Sequence, residues 1–404
     1  MTTFVLVHGS MHRGWCWTKV ARLLRGAGHE VSTPTLTGLG ERVHTRGLIA
    51  LCLVGLLSLS GLAQAAARQD DPAPRYAVTD LGEIKDYSNT TASALNAKGM
   101  VVGLAYEPYT YLGRATVYRG GRLRALIKGE TGFSAAQDVN AAGQIVGYAH
   151  ADDLSPSRAM LWESNGGTDL GDLGGGRSAA NAINDVGVVV GESASTAGGD
   201  HPFVWVDGEM TALALLPEGE LGGAFDINAD GLVVGYSNLG PFDPNVWTPQ
   251  RAVAWDEGEL IDLGTIAGDH SLAFGVNAEG QIVGWSTTTE VQTPSEADLH
   301  AVLWDGEEIT DLGTLADGKV SSATAINTRG EIVGHSTIRS GESGGSHAFL
   351  WRDGELLDVN DLVEGGSGVV LGYAWDINDK GLIVATGYTA NGFEHAFLLT
   401  PIED

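Results

Sequence analysis

The sequence has little cysteine and little positive charge. Its two cysteines, Cys16 and Cys52, precede the repeated region described below, so that region can form neither a disulfide nor a thiolate metal site. Lys and Arg total 23 against 51 Asp and Glu, which gives a formal net charge of −28. Because phosphate binding requires a basic surface, this charge argues against nucleic acid as a partner.

Charged residues are scarce as well, at 18% of the chain, whereas 58 residues are Gly. Long helices are usually covered by charged side chains, and Gly is disfavoured inside them. The composition therefore predicts an all-β protein with many short strands and tight turns.

Long apolar runs are missing except for one between Leu48 and Leu62, which follows Arg46 and precedes the small-residue sequence Ala63-Gln64-Ala65. The run is shorter than the ~20 residues of a membrane-spanning helix. This pattern predicts a signal peptide at 46–65, cleaved after Ala65, and hence a secreted, periplasmic or cell-surface protein. Only an uncleaved segment 48–65 would contact a membrane. Because it lies behind 46 residues, the start of the chain is either a cytoplasmic head before a membrane anchor or a fusion, and the change in composition near Thr45 favours a fusion.

Residues 1–45 have the pattern of a strand, a helix and a second strand, which predicts a short α/β fragment. The segment resembles the start of α/β-hydrolase-fold carboxylesterases. That resemblance implies that His8, Gly9 and Ser10 shape an oxyanion hole. It ends before the parts that carry the family's catalytic Ser, acid and His. The one G-x-S-x-G match contains Ser343, a weak nucleophile candidate within a Gly/Ser-rich loop.

A repeat covers most of the remaining chain. Seven segments share the pattern A-x-x-[LIV]-N-x-x-G-x-[IV]-V-G, although the last one ends in Ala instead of Gly. Asn followed three residues later by Gly is typical of a type I turn, so each segment predicts a β-hairpin. The Asn residues are spaced by 44, 44, 44, 49, 50 and 51 positions, and they are Asn96, Asn140, Asn184, Asn228, Asn277, Asn327 and Asn378.

Each repeat has a second hairpin, with an A-[FV]-x-W strand, a turn that often contains D-G or E-G, and a strand that ends in D-L-G. Four short strands per repeat predict a seven-bladed β-propeller at 76–404, joined to the signal segment by a linker at 66–75. The first strand, at 76–84, lacks a preceding A-F-x-W strand, and the last repeat lacks a D-L-G strand. We therefore predict that the N- and C-terminal strands close the ring.

This repeat resembles that of the HAF-repeat proteins, whose name corresponds to the sequences beginning at His347 and His395. The resemblance implies a bacterial extracellular protein and no particular reaction. A binding or structural role for an unknown extracellular ligand or protein, as a monomer, is the function we expect. The alternative is an ester hydrolase, suggested by residues 1–44 alone.

Calcium is the one cofactor that the sequence suggests, because Asp226, Asn228 and Asp230 match the opening of a calcium loop. The pattern is complete in only one repeat. Tryptophans recur at one strand position and are interpreted as packing between blades, and the histidines as scattered surface or loop residues. The recurring tryptophans are Trp162, Trp205, Trp255, Trp304 and Trp351.

Overall fold

The structure is a computed structural model, and the description covers residues 3–5, 30–32 and 73–402. Within the last range it leaves out 109, 111, 128–131, 153–154, 165, 242–247, 290–297, 317, 339–344, 365–367 and 390. The chain divides into two compact units, Met1–Ala73 and Pro74–Asp404. Residues His8, Gly9, Ser10 and Ser343 and the predicted signal segment lie outside the described residues.

In the first unit, two short strands pair in parallel, β1 (Thr3–Val5) and β2 (Glu30–Ser32). Parallel neighbours need a crossover connection, which agrees with the predicted strand, helix and strand. The helix of this prediction falls on residues that are not described.

The second unit is a seven-bladed β-propeller, as the repeat predicted. It begins with β3 (Tyr76–Asp80). Blade 1 contains β4 (Asn89–Leu95), β5 (Val101–Tyr106), β6 (Gly113–Tyr118) and β7 (Leu123–Ala125); blade 2 contains β8 (Ser134–Val139), β9 (Ile145–Ala149), β10 (Arg158–Glu163) and β11 (Gly166–Asp169); blade 3 contains β12 (Gly174–Ile183), β13 (Val189–Ser195), β14 (Asp200–Val206) and β15 (Glu209–Ala212).

The remaining blades follow the same plan. Blade 4 contains β16 (Gly222–Ile227), β17 (Val233–Asn238), β18 (Gln250–Asp256) and β19 (Glu259–Asp262); blade 5 contains β20 (Ser271–Val276), β21 (Ile282–Thr287), β22 (Leu299–Asp305) and β23 (Glu308–Gly313); blade 6 contains β24 (Ser321–Ile326), β25 (Ile332–Thr337), β26 (Ser346–Arg352) and β27 (Glu355–Asp358); blade 7 contains β28 (Val370–Ile377), β29 (Ile383–Tyr388) and β30 (Glu394–Pro401). A single 3-10 turn, Val359–Asp361, is the helical element among the described residues.

The first strand of the propeller completes the last blade. The strand order of blade 7 is β28-β29-β30-β3, and β3 runs antiparallel to β30 with Tyr76 opposite Pro401. The inner strands are neighbours around the whole ring, and β28 lies beside β4. The predicted ring closure is therefore confirmed, and it pairs the edge that β30 would otherwise expose.

The repeated asparagines form a closed ring of hydrogen bonds. In each blade the Asn Nδ2 atom donates to the backbone oxygen of the equivalent Asn in the next blade, at 3.0 to 3.2 Å, and Asn378 completes the ring by donating to Asn96. The Oδ1 atom accepts from backbone N–H groups of the turn, as Asn228 does from Asp230 and Leu232 at 3.0 Å. The Asn residues thus stabilise both the turn and the contact between blades.

Every inner strand contains a β-bulge at one position. The pairing with the second strand skips the residue that follows the repeated Ala, for example between Ala273 and Gly275. The bulged strand approaches its neighbour closely, since a methyl group at Gly284 would lie 1.9 Å from the carbonyl oxygen of Leu272. This explains the G that ends the repeat pattern. Blade 7 has Ala385 there, and its inner strand has a second register shift.

The recurring tryptophans pack between blades, as predicted. Trp162, Trp255 and Trp304 are at most 2% exposed, and each belongs to an apolar cluster built from its own blade and the preceding one. Trp205 and Trp351 are partly buried against similar clusters. Burial of this kind stabilises the contacts between blades by the hydrophobic effect.

Three of the histidines recur at one strand position, which corrects for these three the expectation of scattered surface or loop residues. His300, His347 and His395 occupy the same position of the third strand, where their Nδ1 atoms lie 2.6 to 2.9 Å from an Asp of the fourth strand. This Asp begins a D-L-G sequence in two of the blades and D-V-N in blade 6. Arg158 and Arg251 take this position in two other blades, beside equivalent Asp residues. An Arg can replace the His because either side chain can donate a hydrogen bond to the carboxylate beside it.

Candidate ligand-binding site

The seven bulges place seven side chains around one cavity. The cavity has a volume of about 700 Å³ and lies in the central channel, at the end opposite the Asn ring. Bulges commonly redirect a side chain beside a functional site. All seven bulge residues line this cavity, and they are Ser93, Gln137, Asn181, Phe225, Phe274, Thr324 and Trp375. We call this cavity the channel mouth.

One side of the channel mouth is aromatic. The rings of Phe225 and Phe274, on blades 4 and 5, lie 5.2 Å apart, and Tyr236 stacks on Phe225 at 5.5 Å. Trp285, from the second strand of blade 5, extends this wall. Aromatic faces that line a cavity offer a large apolar area at a small cost in conformational entropy.

The opposite side contains the polar bulge residues Ser93, Gln137 and Asn181 of blades 1 to 3, and Leu104 and Tyr148 from the second strands of blades 1 and 2 lie beside them. Asn181 Nδ2 donates to the backbone oxygen of Ala224 at 2.9 Å, so its amide is fixed by the next blade. Ser93 and Gln137 have no protein hydrogen bond among the described residues, which leaves their polar groups able to bind another molecule. A few polar groups in a mostly apolar cavity are typical of small-molecule sites.

Trp375 fixes the side of the channel mouth formed by blade 7. Its indole N–H donates to Thr386 Oγ1 at 2.9 Å, and its ring stacks on Tyr373 at 5.7 Å. Thr324 Oγ1 of blade 6 donates to the backbone oxygen of Ala374 at 2.8 Å. These contacts hold the bulge residues of neighbouring blades in a defined arrangement.

The side chains that line the channel mouth carry no formal charge at neutral pH. The lining contains no Asp, Glu, Lys or Arg. Burial lowers the pKa of His335 to about 4, so this ring is neutral. Near the lining, burial raises the pKa of Glu192, and burial together with Glu192 raises the pKa of Tyr236 to about 12. The cavity therefore favours uncharged molecules, because burying an unpaired charge is costly.

Three aspartates lie one residue closer to the Asn ring. Asp138, Asp226 and Asp376 each accept from the next backbone N–H of their own strand at 2.6 to 2.7 Å, and from an N–H of the following blade at 2.8 Å. Burial raises the pKa of Asp138 to about 6 and of Asp226 and Asp376 to about 7. Repulsion from Asp185 adds to the effect at Asp138, and repulsion from Asp138 adds to it at Asp226 and Asp376. These carboxyl groups connect blades.

The calcium candidates have different surroundings in the structure. Asp226 faces the channel and bonds to backbone, Asn228 belongs to the Asn ring, and Asp230 lies on an exposed turn. A cation would have to displace the hydrogen bonds of the first two residues. Among the described residues, no group of three or more His, Cys, Asp or Glu is arranged to hold a metal. No helix of this part of the chain is long and apolar enough to cross a membrane.

Sequence reasoning did not find the bulge residues. The signal was the first variable position of the A-x-x-[LIV]-N pattern, which changes from Ser to Gln, Asn, Phe, Thr and Trp while the preceding residue is always Ala. A side chain that packs in the same way in every blade would vary less. Variation at this position therefore distinguishes it from the positions that pack between blades.

The fold is a β-propeller with a cavity at one end of its central channel. Residues 220–392 match a family described as "Protein of unknown function (DUF3466)". Among solved structures, the chain is similar to the β-propeller domain of the Trilobed protease from Pyrococcus furiosus, described as having an open velcro topology. The TM-score is 0.52 at 11% identity, with 78% of this chain and 98% of that chain covered. At this identity the similarity shows the fold alone.

The curated relatives match only the start of the chain. It is 57% identical to the carbendazim hydrolyzing esterase of Nocardioides sp. (strain SG-4G) over 47 residues, which cover 12% of this chain and 19% of that protein. It is 54% identical to methyl jasmonate esterase 1 of Vitis vinifera over 37 residues, or 9% of this chain and 14% of that protein. The chain thus spans less than a fifth of the length of these relatives.

Proposed function

We propose that the protein is a non-catalytic binding propeller that takes an uncharged molecule at the channel mouth. The observation that carries this proposal is the convergence of all seven bulge residues on one cavity with an aromatic side and a polar side. Concave, mostly apolar cavities with a few polar groups are the usual form of ligand sites. Location outside the cytoplasmic membrane is part of the proposal, and it rests on the sequence of 46–65. An intact mass that begins near Ala66 in the exported fraction would support it.

The test uses prodan, an uncharged fluorophore whose emission rises in apolar surroundings. We expect the full chain to bind prodan, and the double variant Phe274→Thr/Trp375→Ser to lose most of this binding. Thr and Ser occupy the same bulge position in blades 6 and 1, so the fold should tolerate both substitutions.

Val186→Ser is the matched control, because Val186 is 78% exposed on the turn after Asn184, at the other end of an inner strand. Its prodan binding should equal that of the wild type. Equal binding by the double variant and the wild type would show that the dye binds elsewhere, and the proposal would then fail.

Carboxylesterase activity is the alternative, and the identity of the first 47 residues to known esterases is the one observation that favours it. The matched length is far too short to supply a nucleophile, an acid and a base together. Hydrolysis of p-nitrophenyl acetate that disappears in Ser343→Ala would establish this alternative against the binding proposal.

A further inference from the structure

We infer that the channel mouth binds a neutral oligosaccharide, an inference that rests on the proposed function. Four observations carry it. Two concern the lining of the cavity, which has an aromatic and a polar side and no charged side chain. The other two are the acidic groups around the cavity and a ridge of apolar side chains that extends from it across blade 7.

The two-sided lining matches the chemistry of a sugar ring. A pyranose has faces of C–H bonds, which stack on aromatic rings, and an edge of hydroxyl groups, which need hydrogen-bond partners. Phe225, Phe274 and Trp285 supply the aromatic side. Ser93 and Gln137 supply hydrogen-bonding groups on the opposite side. A purely apolar ligand would cover these polar groups without pairing them, at a cost in binding free energy.

The charge around the cavity selects against acidic ligands. Asp138, Asp226 and Asp376 each follow a bulge residue in the sequence. Glu192 lies on the second strand of blade 3, at the position that Tyr236 has in blade 4. The chain as a whole has a formal net charge of −28. Since the lining offers no Lys or Arg, a carboxylate or sulfate on the ligand would find no partner.

A ridge of apolar side chains continues from the channel mouth across blade 7. Four of the eight exposed large apolar side chains among the described residues belong to this blade. Val370 lies opposite Tyr388, at 49% and 50% exposure, and Tyr373 stacks on Trp375. We name Val370, Tyr373, Trp375 and Tyr388 the blade-7 ridge. Its extent beyond the cavity fits a chain of sugar rings better than a single ring.

Isothermal titration calorimetry of the full chain with neutral hexasaccharides tests the inference. The four hexasaccharides are cellohexaose, xylohexaose, laminarihexaose and maltohexaose. Hexagalacturonate is the acidic comparison. We expect at least one neutral hexasaccharide to bind and to displace prodan, and hexagalacturonate to bind at least about tenfold more weakly, which corresponds to ~1.4 kcal/mol.

Two variants distinguish a sugar from an apolar ligand. Gln137→Leu should weaken binding of the hexasaccharide about tenfold while prodan binding stays equal or rises, because only the sugar needs the amide. Tyr388→Ser should weaken the hexasaccharide and leave its trisaccharide unchanged. Val186→Ser should alter neither.

Three results would overturn the inference. They are no binding by any neutral hexasaccharide, stronger binding by hexagalacturonate, or an unchanged affinity for the hexasaccharide in Gln137→Leu. If prodan still binds and depends on Phe274 and Trp375 in these cases, the binding site stands and only the ligand class is wrong. If neither prodan nor any hexasaccharide binds at the channel mouth, the proposed function fails as well.

Discussion

At the scale of single residues, one side chain can connect two blades. Asp138, Asp226 and Asp376 satisfy a backbone N–H of their own strand and one of the following blade. Four blades lack an aspartate at this position, and three of them, blades 1, 3 and 5, receive this bond from the blade before. Because the ring has an odd number of blades, this alternation must fail once, and it fails at Ile326, where neither Ala325 nor the equivalent Gly275 has a carboxylate.

These aspartates make stability depend on pH with a defined sign. The pKa of Asp226 is about 7 in the folded protein, against ~3.9 for an unperturbed Asp in an unfolded chain. The stability that this group contributes is therefore full below pH ~4 and is lost as the pH rises towards about 7.

Urea unfolding of the wild type and of Asp226→Asn at a series of pH values checks this prediction. The free energy of unfolding of the wild type, relative to the variant, should fall between pH ~4 and about 7 and stay level above that. Asp207→Asn, on an exposed turn, is the control for removal of one carboxylate. A relative stability that rises with pH would contradict the argument.

At the scale of elements, the turn after each inner strand does more than reverse the chain. The Oδ1 atom of Asn228 accepts two turn N–H groups, and its Nδ2 atom donates to Asn277 of the next blade at 3.0 Å. The first function follows from the N-x-x-G pattern and was predicted. The second requires the next blade to be in place.

Replacement of Asn228 separates these two functions. Asn228→Ala should lower the free energy of unfolding by ~2–4 kcal/mol, because three hydrogen bonds are lost and the buried oxygen of Asn277 loses its donor. Asn228→Asp keeps the turn acceptors but places a carboxylate against that oxygen, so we expect a similar loss.

Urea unfolding measures both variants against Val186→Ser. If Asn228→Asp is as stable as the wild type, the hydrogen bond between blades contributes nothing. A gain in stability of this variant on addition of calcium would instead favour the calcium prediction for Asp226, Asn228 and Asp230.

The bulges mark the limit of what the repeat pattern can predict. Alternating apolar residues and turn residues define the strands, so the hairpins and their number could be read from the sequence. A bulge depends on the register with a neighbouring strand and on Gly residues such as Gly284, whose role becomes visible only when Leu272 lies beside it. The channel mouth, which is built from seven bulges in seven distant segments, could not be located for this reason.

At the scale of the whole propeller, seven similar blades form a ring, and the first and last strands of the propeller together complete one of them. β3 pairs with β30 and completes blade 7, and the missing D-L-G strand of the last repeat had predicted this. Blade 7 also differs in its surface, since it carries Trp375 and the exposed part of the blade-7 ridge. The scaffold is thus regular where blades contact one another and varied where they face the channel.

A crystal structure of the full chain with bound prodan is the measurement that tests the binding proposal most directly. The proposal predicts that the fluorophore lies in the channel mouth, with its ring system against Phe274 and Trp375 and within reach of Gln137. A fluorophore bound on the outer strands, with the channel mouth filled only by water, would contradict it.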